Sequence, residues 1–266
     1  MSEGAVATPQ QRRLEEFDRF GGEAPPLAVL EHSPGRIATA ASPAPRVAVV
    51  GEFNSGKSSL VNVLLGGAAV PTGYRVRSPY PVLINYAARP SLAFELGDRR
   101  RIATGWEDVA RAPAQDVRRL RLGLPIDRLK AFRLIDTPGA ATGDEALDAR
   151  AFNACRRADV AIWCTPAVQA WKGSERQAWL ALPRRLRQRS ILAVTYKDAV
   201  ASADDIERLG ARLHAEAGPH FAGVVMIACA DALRALPLAD RARDEALWHA
   251  SGGAAMAAAL RAAIAA

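Results

Sequence analysis

The chain has 266 residues, 50% of them hydrophobic, with 35 Lys or Arg against 28 Asp or Glu and a formal net charge of +7. That content excludes a mainly disordered protein, and the length suits one large α/β domain with a short helical extension. No basic leader runs into an apolar stretch and no apolar run is long enough to span a bilayer, so the expected location is the cytoplasm, with peripheral membrane contact left open.

In chain order, Thr8-Pro9-Gln10-Gln11 is a capping box with Pro at the first helical position, and Leu14 and Phe17 share a face until Gly21-Gly22. Pro, Ser and Gly crowd the stretch that follows, so residues 1–45 are expected to be an N-terminal helix and a linker. Arg46-Val47-Ala48-Val49-Val50 then reads as a buried strand. It runs directly into Gly51-Glu52-Phe53-Asn54-Ser55-Gly56-Lys57-Ser58, which satisfies G-x-x-x-x-G-K-[ST]. Ser59 to Leu65 carries apolar residues at helical spacing and stops at Gly66-Gly67. Strand, glycine loop and helix in this order form a polyphosphate cradle. The backbone N–H groups of Gly51 to Ser59 and the helix N-terminus point at the anion, Lys57 reaches the β- and γ-phosphates, and the Ser58 hydroxyl holds Mg²⁺.

Beyond the helix, 70–78 reads as an exposed loop and 81–86 as a strand. Leu92 to Leu96 and Arg101 to Ala103 pair as a hairpin across Gly97-Asp98, and Glu107 to Leu122 is expected to be helical. Phe132-Arg133-Leu134-Ile135-Asp136-Thr137-Pro138-Gly139 is an apolar strand ending in D-x-x-G. Asp136 would meet Mg²⁺ through water, and the Gly139 amide would sense the γ-phosphate. The pattern then alternates: helix from Asp144 to Ala158, strand 160–164, helix 174–187 kinked at Pro183, strand 191–195, helix 202–217, strand 224–228, and a short helix from Asp231. The expected fold is a three-layer α/β domain over 46–236 with a mostly parallel central sheet, plus short flanking helices in 1–45 and 237–266. Cys155, Cys164 and Cys229 are widely spaced without a CxxC pair, which favours reduced thiols over disulfides or zinc. All but four of the basic residues are arginine, in clusters read as solvated faces and helix ends; no RNA-binding motif accompanies them.

Thr195-Tyr196-Lys197-Asp198 resembles the guanine-specific [NT]-K-x-D of GTPases. Asp198 is in place, Tyr196 occupies the Lys position, where its ring would stack on the base, and Lys197 takes the variable position. Cys229 lies where such proteins turn a backbone N–H toward guanine O6. Taken together, these segments resemble the dynamin-like GTPases within the translation-factor-related class of P-loop GTPases, over about residues 46–236.

The resemblance implies GTP/GDP binding with Mg²⁺, and it places Ser78 as the switch-one hydroxyl ligand of the metal. It also implies a role for Asn54 in holding K⁺ beside the phosphates, with a loop-stabilising hydrogen bond as the equal alternative. Ala140 offers no side chain to orient water, so Lys57, Asn54, Ser78 and Gly139 are the expected catalytic set. Activation would come from a homodimer through the nucleotide face. Family members that remodel membranes carry a long stalk, whereas about thirty residues follow Leu236 here; a partner chain docked on the terminal helices is the corresponding expectation. The alternatives are a nucleotide-binding assembly or regulatory module with little hydrolysis, and an RNA- or ribosome-associated GTPase.

Overall fold

The strands at the centre of the sheet carry apolar residues on both faces, which fixes them between two helical layers. In β1 (Arg46–Gly51), Val47 and Val49 face one core cluster while Ala48 and Val50 face another, and all four are fully buried. The computed structural model describes residues 44–72, 78–109, 116–140, 144–237 and 241–266. The N-terminal capping box, Leu14, Phe17 and most of the linker lie outside the described residues, as does the stretch 73–77.

Following β1 come α1 (Lys57–Leu65), β2 (Val82–Tyr86), β3 (Ser91–Leu96), β4 (Arg101–Ala103), α2 (Trp106–Val109), β5 (Val117–Leu124) and β6 (Arg133–Asp136). The second half alternates: α3 (Glu145–Arg156), β7 (Val160–Pro166), α4 (Gly173–Leu180), α5 (Arg184–Arg187), β8 (Ile191–Thr195), α6 (Ala203–Glu216) and β9 (Gly223–Met226). Three helices close the chain: α7 (Cys229–Ala235), α8 (Glu245–Ala250) and α9 (Gly253–Ala265). Among the described residues, nine strands form one sheet in the order β4-β3-β5-β2-β6-β1-β7-β8-β9. From β6 through β9 every pairing is parallel. On the far side β2 runs antiparallel to β6 and parallel to β5, and the β3–β4 hairpin completes that edge. Residues of α1, α7 and α9 fill the core on one face, and residues of α3 to α6 fill it on the other. This is the expected three-layer architecture with its mostly parallel sheet.

Two segments depart from the sequence reading. Residues 107–122 are not one helix: a single turn at α2 gives way to the strand β5. Leu120, Leu122 and Leu124 alternate inward, while Arg119 and Arg121 on the opposite face each reach Glu95 of β3 at 2.9 Å. Period two with cross-strand ion pairs outweighs the helix propensity of Arg and Leu here. The segment 174–187 is not kinked but broken at Pro183, leaving α4 and α5 as separate pieces. Within the C-terminal segment, expected to be helical, α8 and α9 are helices and α9 lies against β8 and β9. Met256, Leu260, Ala263 and Ile264 are buried in the same cluster as Val47 and Leu60.

Candidate functional site

β1 delivers the chain to the top of the sheet at Gly51. There a Cβ would sit 2.2 Å from the Cys164 carbonyl oxygen of β7, so only glycine lets the strand pass. The loop then reverses through Asn54 (φ 59°) and Gly56 (φ 80°), both left-handed. Asn is among the few side chains that tolerate this region, so backbone geometry alone accounts for part of its presence. Its side chain is exposed at the crown of the loop and makes no hydrogen bond among the described residues. Gly56 caps α1 without a side-chain acceptor, so the first-turn N–H groups of Lys57, Ser58 and Ser59 are left for a ligand. Ser55 is fully buried with its hydroxyl turned inward and unpaired, so its contribution to the cradle comes from its backbone.

The loop rests on β8. The Thr195 hydroxyl donates to the Ser55 carbonyl at 2.8 Å and packs against Gly56, where a Cβ would come within 3.2 Å of its side chain. Thr195, read from sequence as part of the base site, thus supports the phosphate loop from beneath. The D-x-x-G strand is stitched to the same loop. Thr137 Oγ1 donates to the Val49 carbonyl at 2.8 Å, and the Ala140 N–H donates to the Gly51 carbonyl at 2.9 Å.

These contacts bring Ser58 Oγ to 3.0 Å from Asp136 Oδ2, across 78 residues of sequence. The other carboxylate oxygen, Oδ1, is buried with no hydrogen-bond partner among the described residues. Burial pushes Asp136 up to about 6, against the opposing pull of Lys57 and the Ser58 hydrogen bond. Burial likewise lowers Lys57, with Asp136 as the main opposing influence, while its ammonium donates to the Glu52 carbonyl at 2.7 Å. A hydroxyl and an orphaned carboxylate oxygen side by side, with a lysine parked nearby, suit a hydrated Mg²⁺ and a phosphate.

The cleft above is about 830 Å³. Gly139 and Ser59 line it, and so does Ser78, whose hydroxyl here donates to the Tyr80 carbonyl at 2.8 Å. At the far end stands Tyr196, 42% exposed and left-handed (φ 55°). Asp198 is exposed in the following turn, and Cys229 is buried at the start of α7. Lys197 turns away: its ammonium donates to the Ala250 carbonyl at the end of α8, and its N–H to Ile227. The cleft also uses residues that the sequence did not single out. Trp106 and Tyr80 line it, and buried Asn62 bonds both N–H groups and one carbonyl of Ala69 and Val70, fixing the chain that enters the loop opposite. Trp106, one residue before the segment read as helical, and Asn62 carried no motif.

Sheet, cradle and metal-ready pair define a P-loop nucleotide-binding protein. The dynamin family model matches residues 47–198, and the chain belongs to that family. It is 29% identical over 191 residues to Dynamin-like protein 2 of Campylobacter jejuni subsp. jejuni serotype O:23/36 (strain 81-176), covering 70% of this chain and 31% of that protein. The chain therefore spans about a third of the length of the curated relative it matches. Among solved structures, an oligomerised bacterial dynamin pair, described as a mechanism for long-range sensing and tethering of membranes, aligns with a TM-score of 0.57 and 21% identity. That match covers 84% of this chain and 35% of the other, and the likeness is one of fold.

Proposed function

We propose that the chain is a GTP-binding and GTP-hydrolysing switch of the dynamin type that uses Mg²⁺ and is activated when two copies meet across their nucleotide faces. The observation that carries this reading is the meeting of Ser58 Oγ with Asp136 Oδ2 at 3.0 Å while Asp136 Oδ1 stays buried and unpaired. Bound there, Mg²⁺ would neutralise charge on the β- and γ-phosphates, with Ser58 as direct ligand, Asp136 holding a metal water, and Ser78 turning from Tyr80 to complete the set. Lys57 leaves the Glu52 carbonyl for the phosphates, the α1 N-terminus and loop amides hold their oxygens, and the Gly139 N–H reports the γ-phosphate. Tyr196 covers the base, Asp198 accepts from guanine N1 and N2, and a Cys229-side amide meets O6.

Water orientation is the missing piece. Ala140 is buried, has no polar side chain, and spends its N–H on Gly51. Asn54, exposed at the crown, would hold K⁺ or meet a second copy, and the assembly described for the bacterial dynamin pair supports self-association. The same neighbour motivates peripheral membrane contact, and a partner chain at the terminal helices remains part of the reading.

Single-turnover assays with GTP and ATP, in K⁺ and in Na⁺, over a range of protein concentrations test the proposal. Dilute protein should turn over GTP at on the order of 10⁻⁴ to 10⁻² per second, faster when concentrated and in K⁺. Lys57→Ala should weaken triphosphate binding by roughly one to two decades. Equal affinity for ATP would sink the guanine reading, and a rate indifferent to concentration and cation would sink the activation reading.

A further inference from the structure

The second residue of the phosphate loop is an acid, which is an odd charge to place in an anion site. Glu52 lines the cleft, and its carbonyl is the acceptor that holds Lys57. Left unpaired, its carboxylate would repel the polyphosphate that the loop amides attract. It is not unpaired. Lys172 Nζ lies 2.5 Å from Oε2, and Ser174 Oγ donates to Oε1 at 3.3 Å, both from the start of α4.

Lys172 is held in place from behind. Its backbone N–H donates at 2.9 Å to Oε2 of Glu175, a fully buried acid that also receives the Trp163 indole N–H at 3.1 Å and the Thr165 hydroxyl at 2.9 Å. Trp171 immediately before it is left-handed (φ 61°), and its N–H donates to Thr165 Oγ1 at 3.2 Å. The turn is therefore fixed to β7 at two points, and the ammonium is presented to the loop on a rigid mount. No motif marks a lysine that lies 120 residues from its partner.

We propose that Lys172 is a positioning residue of the phosphate site: by holding and neutralising Glu52 it turns an acid-bearing loop into one that accepts a triphosphate, and it ties α4 to the loop's occupancy. This rests on the nucleotide reading above. Because the benefit is electrostatic, it grows with ligand charge, so a triphosphate gains more than a diphosphate. The pair is partly exposed, with side chains 39% and 18% accessible, so the effect weakens in high salt.

The test is calorimetric titration of the full chain with Mg²⁺-GTPγS and with GDP, for wild type, Lys172→Met, Lys172→Arg, Glu52→Gln and the Glu52→Gln/Lys172→Met double variant. Lys172→Met should weaken GTPγS binding about tenfold or more and GDP binding less, since it leaves an uncompensated carboxylate beside the extra phosphate. Lys172→Arg should stay near wild type. Glu52→Gln should bind GTPγS at least as tightly as wild type, and the double variant should recover to within about threefold of it, a coupling that a merely structural lysine would not show. Wild-type affinity in Lys172→Met, or an equal loss in the Glu52→Gln background, overturns the assignment. If Lys172→Met does not fold, weakened GTPγS binding by Glu52→Gln or unchanged GTPγS:GDP preference in Lys172→Arg at high against low salt overturns it instead. A wild type that binds neither nucleotide overturns the underlying reading.

Discussion

The two ends of the cleft are built by different means. At the phosphate end nearly every contact is made or fixed by backbone: Gly51 passes Cys164, Gly56 rests on Thr195, and Ala140 and Thr137 are hydrogen-bonded to β1. At the base end the surfaces are side chains on a short turn entered through left-handed Tyr196, with Tyr196 and Asp198 exposed and Lys197 anchored to α8. A backbone-built site tolerates almost no substitution and a side-chain-built one tolerates several.

Substitutions at the two ends measure that contrast. The largest effect belongs to Gly51→Ala, whose new methyl would meet a backbone carbonyl that cannot step aside. It should cost about 3 kcal/mol or more of stability, at the top of the overpacking range, and remove nucleotide binding. Denaturant unfolding checks this, and a variant as stable and as competent as wild type would show that the strand end yields as readily as the base end.

Next comes Asp136→Asn. Burial raises this carboxyl from 3.8 to about 6. A raised acid favours the folded state below its unfolded value and loses that advantage as pH climbs through the folded one, so ionised Asp136 destabilises the nucleotide-free protein at pH 7 by at most on the order of 3 kcal/mol. The Asn variant should melt higher than wild type at pH 7, with the gap closing toward pH 4, while it loses the Mg²⁺-dependent tightening of triphosphate binding. A lower melting temperature at pH 7 would contradict the account.

The smallest effect is at the base end. Tyr196→Ala should weaken GDP binding by about tenfold or less, the ~1 kcal/mol of a lost stacking contact, and should leave stability unchanged. A loss matching that of Lys57→Ala in fluorescence titration would erase the contrast.

How legible each part was in the sequence follows from the same distinction. Glycine spacing and the apolar strand before it report backbone demands directly, so the cradle, Asp136 and the layer order could be read from residues alone. The β3–β4 hairpin was legible from its Gly97-Asp98 turn. The strand β5 was not, because Arg119 and Arg121 look like helix residues until Glu95 is known to lie opposite. Long-range pairings such as Glu52 with Lys172, or Thr195 under Ser55, leave no local signature, since neither segment names the partner of its own residue. The contact of Lys197 is equally invisible in its own segment: its acceptor, the Ala250 carbonyl, belongs to a helix far along the chain.

The three cysteines give the molecule a set of internal clocks. Each is buried, and burial pushes Cys155 and Cys229 up to about 12 and Cys164 well above its ordinary value. Burial thus keeps all three thiols protonated at pH 7 while the fold is closed, so alkylation waits for a local opening. Cys155 sits in α3, Cys164 in β7 under the phosphate loop, and Cys229 at the base end of α7. Their labelling rates would therefore time the breathing of three separate parts of the nucleotide domain, with no probe added to the chain.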